Sequence, residues 1–298
     1  MSALLLIAAA LPGLFVDADP APGIREAGFD CVSIPAARAE AWKGQCATVV
    51  DPEKAVKLPA PGVRYRMNEA RASSAPWVDT NGARFARGVQ GPALIAAADG
   101  KAALAAAEAH AFGVDALVTA GPKDWKALGE MRKFLASLPS NPLPVLANIG
   151  FIDDGTPAAT EDMKLLLRRN LMFRVVTAAD PKLDVNVKPK GGDPSAFAYE
   201  VRQKVSDGKR LLRLYGSEVV VARLSGDASA RRVALLNYGN RVVEGVRVRV
   251  LGKWPKITAR GFGEAVEATD VVVEAEATEF SLPRVPAYVV VEMTKLTK

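Results

Sequence analysis

The periodicity of the chain changes near Leu211, and that change constrains the fold more than any other feature. Before it, short apolar runs alternate with helical stretches. After it, RLYGSEVVVARLSGD, ARRVALLNYGN, GVRVRVLG, ITARGFG, DVVVEAE, TEFSL and AYVVVEM succeed one another with only Gly, Asn and Asp turns between them. Alternating segments at this spacing, with no helix intervening, predict an antiparallel β-sandwich. Strands separated by helices, as in the first two thirds, predict a parallel sheet with right-handed crossovers. The expected class is therefore α/β plus all-β, with no tandem repeat of fixed period.

In the first part, LFVDAD reads as an apolar strand ending in Asp17 and Asp19, and Pro20, Pro22 and the helical IREAGFD follow. CVSIP, AARAEAWKG and CATVVD continue as strand, helix and strand, up to the linker KLPAPG. Further on, GKAALAAAEAHAFG is an alanine-rich helix with Gly at both ends, VDALVT a strand, and KDWKALGEMRKFLASLP an amphipathic helix stopped by Pro139. Pro142 and Pro144 mark a boundary. VLANIGFIDDG, TEDMKLLLRRN and LMFRVVT then form a flavodoxin-like βαβ segment, whose helix carries acids first and Arg168–Arg169 last, the order that suits its dipole. The expected division is 1–12 as a weak signal segment, 13–140 as a truncated (β/α) barrel or open parallel sheet, 141–209 as the flavodoxin-like region and 210–298 as the sandwich.

The start, MSALLLIAAALPGLF, has the apolar length of a signal peptide but no Lys or Arg before it, and it is too short to span a bilayer. If it is a signal, the protein is secreted or periplasmic; otherwise it is cytoplasmic. No integral membrane segment is expected. Cys31 and Cys46 are the only cysteines, and both a disulfide and buried thiols fit them. Abundant alanine with 6% aromatics matches a GC-rich bacterial genome. The net charge of +6 is scattered, with Arg231–Arg232 and Arg247/Arg249 expected on a solvated strand face, and no zinc pattern or recognition helix accompanies it. Nucleic acid is not an expected partner.

The densest polar and aromatic stretch is VRYRMNEARASSAPWVDTNGARFAR, from Val63 to Arg87. It begins as an alternating strand and breaks at Ser-Ser-Ala-Pro. Trp77, Asp79, Asn81 and Arg84 then fall within eight residues. A strand end presenting such a loop suits a small polar ligand or a sugar. Strand-end carboxylates make Asp17, Glu69 and Asp79 the candidate catalytic residues. Asp19, Asn68, Arg71, Trp77, Asn81 and Arg84 are the candidate ligand-binding ones. The alternative is structural: Asp17 and Asp19 cap a turn, Glu69 pairs with Arg66 or Arg71, Trp77 fills the core, and Asp79 and Asn81 shape an Asp-Thr-Asn-Gly turn.

With Asn68–Glu69 at a strand end, APWVDTNGARFAR after it, and a terminal region carrying LLNYGN and TEFSLPRVPAYVVVEM, the chain resembles multidomain glycoside hydrolases of the family-42 β-galactosidase kind. There a (β/α) barrel is followed by a flavodoxin-like domain and a β-sandwich. The resemblance implies Glu69 as general acid/base of an Asn-Glu pair. It also meets a departure. A complete barrel needs roughly 200 residues or more, and only about 140 precede Pro142. A retaining glycosidase needs two carboxyl groups roughly 5 Å apart, drawn from different strands.

His110, the single histidine, sits in the alanine-rich helix with no nucleophile elbow in the chain, so a triad is not expected. Asp153 and Asp154 lack calcium-loop spacing and read as a strand end before a helix. No metal or cofactor is expected. The expected function is a glycoside-hydrolase-like protein, carbohydrate-binding or with a degenerate catalytic site. The alternative is a non-catalytic structural or interaction protein that uses the sandwich for assembly, including as a homo-oligomer.

Overall fold

The computed structural model describes residues 11–65 and 76–296, so Asn68, Glu69 and Arg71 lie outside the described residues. The chain forms two compact units, one from Met1–Pro61 and Gly88–Pro142, the other from Gly62–Arg87 and Leu143–Lys298.

The first unit is built on a six-stranded sheet of β1 (Gly13–Phe15), β2 (Val32–Ile34), β3 (Ala47–Val49), β4 (Val56–Leu58), β7 (Ala93–Ala96) and β8 (Ala116–Thr119). Every pairing in it is parallel. Its order, β3-β2-β1-β8-β7-β4, follows the chain cyclically when read from β4 round to β3; among the described residues no pairing joins those two. Short apolar strands with buried centres, such as Leu14 and Ile95, are what a parallel sheet covered by helices requires.

Helices α1 (Pro22–Glu26), α3 (Ala102–Phe112) and α4 (Pro122–Ser137) provide the cover. In α3 most side chains are methyl groups, and Ala102 to Ala109 are all buried. Gly113 ends it in the left-handed conformation at φ 69°, where a Cβ would be strained. Gly129 has a different duty in α4. A Cβ there would stand 1.7 Å from the Ala27 carbonyl oxygen, so only glycine lets α4 approach the end of α1.

Cys31 and Cys46 form a disulfide. They immediately precede the register partners Val32 and Ala47, so the bond clamps the start of β2 to the start of β3. The helix expected over AARAEAWKG shrinks to one 3-10 turn at Ala36–Arg38. Trp42 wins there: it is buried, donates from Nε1 to the Ala18 carbonyl at 2.9 Å, and holds the segment as turns against the β1 end.

The second unit begins with β5 (Gly62–Arg64) paired antiparallel to β6 (Trp77–Asp79), followed by α2 (Gly82–Arg87). Next come β9 (Ile149–Ile152), α5 (Pro157–Arg168), β10 (Phe173–Val176), β11 (Val185–Val187) and α6 (Pro194–Val205). The three strands form a parallel sheet in the order β10-β9-β11. Phe151 at its centre packs against Phe173 and Phe197 at centroid distances of 6.0 and 6.2 Å. Helix α5 starts cleanly because Thr156 caps it, accepting from the Ala159 N–H, with Pro157 in the first turn.

The remaining strands are β12 (Leu212–Tyr215), β13 (Val220–Gly226), β14 (Ala230–Asn237), β15 (Val243–Leu251), β16 (Lys256–Gly261), β17 (Thr269–Val273), β18 (Ala277–Val285) and β19 (Tyr288–Thr294). They make two four-stranded antiparallel sheets, β12-β15-β18-β17 and β13-β14-β19-β16. Alternate residues of both sheets, among them Val246, Val248, Phe280 and Leu282 on one and Leu224, Val233, Leu235 and Val291 on the other, share one apolar core. Each fully buried side chain of this size contributes about 1.5–3 kcal/mol. The arginines expected on a solvated face are drawn down instead. Arg249 is 9% exposed. It stands opposite Glu279 on β18, which also pairs with Arg247 at 3.0 Å, and Arg232 stands opposite Glu292 on β19 and ion-pairs with it. Directly facing opposite charges stabilise such pairs.

Candidate functional site

The strand pair β5–β6 sets the geometry of the focal stretch. Its register puts Arg64 opposite Trp77 and Gly62 opposite Asp79. Successive side chains alternate between faces, so Arg64, Trp77 and Asp79 share one face, and Arg64 reaches diagonally across to Asp79. It does so through an ion pair, with Nε 2.7 Å from Asp79 Oδ2, and a hydrogen bond from Nη2 to Oδ1 at 3.1 Å. Oδ1 also accepts from Trp77 Nε1 at 3.3 Å and from Lys164 Nζ of α5 at 3.3 Å. The same ammonium lies 5.6 Å from the centroid of the Trp77 ring.

Lys164 is only 12% exposed, against 29% for Asp79. Burial pushes its ammonium below the ordinary lysine range; the Asp79 carboxylate opposes that, while Arg84 and Arg64 add to it. Two cations thus hold one carboxylate, and Arg84 is near enough to Lys164 to repel it. Arg84, from α2, donates to Asn81 Oδ1 at 3.3 Å. Asn81 is buried and its carbonyl accepts the Phe85 N–H, while Thr80 Oγ1 takes the Gly82 N–H, so the Thr80–Gly82 turn exists to start α2.

A second ion pair joins the end of α2 to the end of β9. Arg87 binds Asp153 through two bonds, Nε to Oδ2 at 2.7 Å and Nη2 to Oδ1 at 2.9 Å, and donates to Thr160 Oγ1 from Nη1. The Arg87 hydrogen bond holds the Asp153 carboxyl below the usual carboxylate range. Asp154 accepts from the Thr156 N–H and hydroxyl, as a residue leading into a helix does. Thr160 and Lys164 are four residues apart on α5, hence on one face, so that face meets both ion pairs.

Asp17 and Asp19 belong to the first unit, just beyond the end of β1. Both contact Arg38, Asp17 at 3.0 Å and Asp19 at 3.4 Å, and their side chains are 63% and 74% exposed. Trp77, Asp79, Asn81 and Arg84 come together in the second unit, as the sequence suggests. Lys164, Arg64, Arg87 and Asp153 are the contributors that sequence reasoning missed. Lys164 is 85 residues from Asp79, in a helix whose periodicity announces packing and nothing more. Among the described residues no three His, Cys, Asp or Glu side chains converge as a metal ion would require.

The chemistry open to this cluster follows from its donors. A glycosidase acid must keep its proton through burial or a like-charged neighbour. Both Asp79 oxygens instead face cationic groups of the protein, Arg64 at Oδ2 and Arg64 and Lys164 at Oδ1. The net positive balance of Arg64, Arg84 and Lys164 around it favours polar ligands that accept hydrogen bonds.

No family model and no curated protein sequence matches this chain. Among solved structures it is similar to alpha-L-fucosidase isoenzyme 2 from Paenibacillus thiaminolyticus, with a TM-score of 0.52 at 8% identity over 71% of this chain. It spans 61% of that chain's length. The glycoside hydrolase family 30 subfamily 8 xylanase from Clostridium acetobutylicum aligns over 97% of this chain and 98% of its own at 10% identity, but its TM-score of 0.23 carries no argument. The fold of this chain is glycoside-hydrolase-like. Its α/β part holds a parallel sheet and its C-terminal part antiparallel ones. Among the described residues no helix is long and apolar enough to cross a membrane.

Proposed function

We propose that this is a glycoside-hydrolase-like protein that binds carbohydrate, or another small polar ligand, at the Glu69–Arg84 strand end without turning it over. The observation that carries this reading is Asp79 held by Arg64, Lys164 and Trp77, a carboxylate whose oxygens are engaged by side chains of the protein itself. The cyclic strand order of the first sheet, in which among the described residues no pairing joins β3 and β4, supports its reading as a reduced (β/α) barrel. With residues 141–209 as a flavodoxin-like region and 210–298 as a β-sandwich, the whole follows the family-42 β-galactosidase plan. Glu69, with Asn68 and Arg71, is the remaining candidate for ligand contact, and Trp77 serves the site as a buried support. The Cys31–Cys46 disulfide supports an oxidising compartment.

A glycan array combined with a chromogenic-glycoside screen tests the reading. Binding without release of chromophore is expected, weakened by Glu69→Gln and Arg84→Ala. Hydrolysis abolished by Glu69→Gln would replace it with an active enzyme, and binding untouched by both substitutions would remove the site.

A second reading, assembly through the C-terminal sheets, is favoured by one feature. Val271, Val272 and Val273 on the outer strand β17 are 42%, 44% and 42% exposed. An apolar outer strand is a surface for pairing with another copy. Light scattering of the wild type and Val272→Lys decides it: a dimer that the substitution dissolves supports assembly, and a monomer at all concentrations removes it.

A further inference from the structure

At one end of the antiparallel sheets three segments converge on Trp254. Thr294 of β19 pairs with Ala230 of β14 on one side and with Lys256 of β16 on the other. The residues beside those partners, Arg231, Lys253–Pro255 and Lys295–Leu296, therefore meet around a cavity of about 690 Å³. The Arg231 guanidinium lies 4.3 Å from the indole centroid, and the Lys295 ammonium 5.5 Å.

Among the described residues no carboxylate lines this cavity. The nearest acid acting on Arg231 is Asp227, whose Oδ1 is committed to the N–H groups of Ser229 and Ala230 and to the Ser229 hydroxyl. Arg231 donates only to the carbonyl oxygens of Asp227 and Ala230. Four other arginines of these sheets differ: Arg232, Arg247, Arg249 and Arg284 each face a glutamate. Positive charge is thus gathered at Arg231, Lys253 and Lys295, with Asp227 acting on Arg231 from outside the lining, beside an apolar wall of Leu251, Pro255 and Leu296, the last 65% exposed.

We infer that this groove binds an acidic oligosaccharide, its carboxylates set against Arg231, Lys253 and Lys295 and the C–H face of a sugar ring laid on Leu251 and Leu296. A ring with one apolar face and a single negative substituent matches that mixture of wall and charge. A nucleic acid matches it less well. Four of the sheet arginines are neutralised by glutamates, and Trp254, 2% exposed and covered by two cations, offers no face for a base. Burial already pushes the Arg231 guanidinium below its usual range, a penalty that a bound carboxylate relieves.

The test is calorimetric titration of the full chain with a short oligogalacturonide, a neutral oligosaccharide of the same length and a single-stranded oligonucleotide of matched charge. The oligogalacturonide should bind, and more weakly as salt rises. Lys253→Gln with Lys295→Gln should reduce that affinity about tenfold through two lost charge-assisted contacts. Both lysines are exposed, so the melting temperature should be unchanged. Absence of binding, equal affinity in the double variant, or equal or tighter binding of the oligonucleotide would overturn the inference. Retention of neutral-glycan binding by the double variant separates this groove from the Glu69–Arg84 strand end.

Discussion

Replacing Asp79 with asparagine removes the charge but not the volume at the centre of the strand-end cluster, and its consequences can be worked from the contacts. Lys164 would keep its burial, with 12% of the side chain exposed, and lose its only ion-pair partner among the described residues. Breaking a fully buried pair in this way costs about 3–5 kcal/mol. Asp79 is 29% exposed and Arg64 38%, so water compensates part of the loss, and about 2–3 kcal/mol is the expected destabilisation at neutral pH.

The pH dependence carries a sign. Burial lowers the Lys164 pKa and Asp79 opposes that lowering; in Asp79→Asn the opposition ends while Arg84 and Arg64 continue to repel the ammonium. The folded-state pKa must therefore fall further below the ordinary lysine range. Between the folded and unfolded values the unfolded chain binds more protons, so stability rises with pH across that window and the penalty is complete below it. Urea unfolding at pH 7 and at about pH 10 should show the variant's deficit shrinking at the higher pH. Adding Lys164→Met to Asp79→Asn should recover about 1–2 kcal/mol, because the stranded charge is gone and the stem still packs. A variant within about 0.5 kcal/mol of wild type, or a double variant no better than the single one, would refute the account of Asp79 as the counter-charge of a buried lysine.

Two further perturbations test neighbouring parts of the scaffold. Arg87→Ala abandons two charge-assisted bonds to Asp153, a side chain 13% exposed, and should cost about 1.5–3 kcal/mol by urea denaturation. Since Arg87 keeps the Asp153 carboxyl below its usual range, that stabilisation is present above the ordinary aspartate pKa and lost as pH falls through the folded value; the variant should show a shallower acid limb, and an identical limb would contradict the assignment. Reduction of Cys31–Cys46, 15 residues apart, should remove about 3 kcal/mol of loop-closure stabilisation; thermal melts with and without reductant, compared with a Cys31→Ser/Cys46→Ser variant, would overturn this if all three coincide.

Much of the architecture was legible because it rests on local periodicity. The switch from helices with strands to strands alone falls where the α6 helix gives way to β12, and the valine-rich alternation of GVRVRVLG and AYVVVEM becomes β15 and β19. The short helix expected around Trp42 was lost to one long-range contact, the indole reaching back to Ala18. Arg249 was misplaced for a related reason. Alternation tells which residues share a face, but only the pairing with β18 reveals that Glu279 waits opposite. Of the candidate site, the cluster of Trp77, Asp79, Asn81 and Arg84 was visible as a local concentration of residue types. Its charge partner on α5 and the Arg87–Asp153 clamp arise from packing between segments 66 to 85 residues apart, which no local pattern encodes.

The ion pair at Asp79 also bears on the loop that carries Asn68–Glu69. Arg64 and Trp77 are register partners, so they stand at the two ends of the connection between β5 and β6, and Asp79 bonds to both. A carboxylate that ties together the two ends of a loop acts on ligand binding by positioning, whether or not it touches the ligand. Asp79→Asn should therefore lower stability and glycan affinity together, the second through loosened loop ends. Glu69→Gln, which changes one charge within the loop, should lower affinity with little change in the urea midpoint. If Asp79→Asn lowered affinity at full stability, Asp79 would have to contact the ligand directly, and its ion pairs with Arg64 and Lys164 would have to open for it to do so.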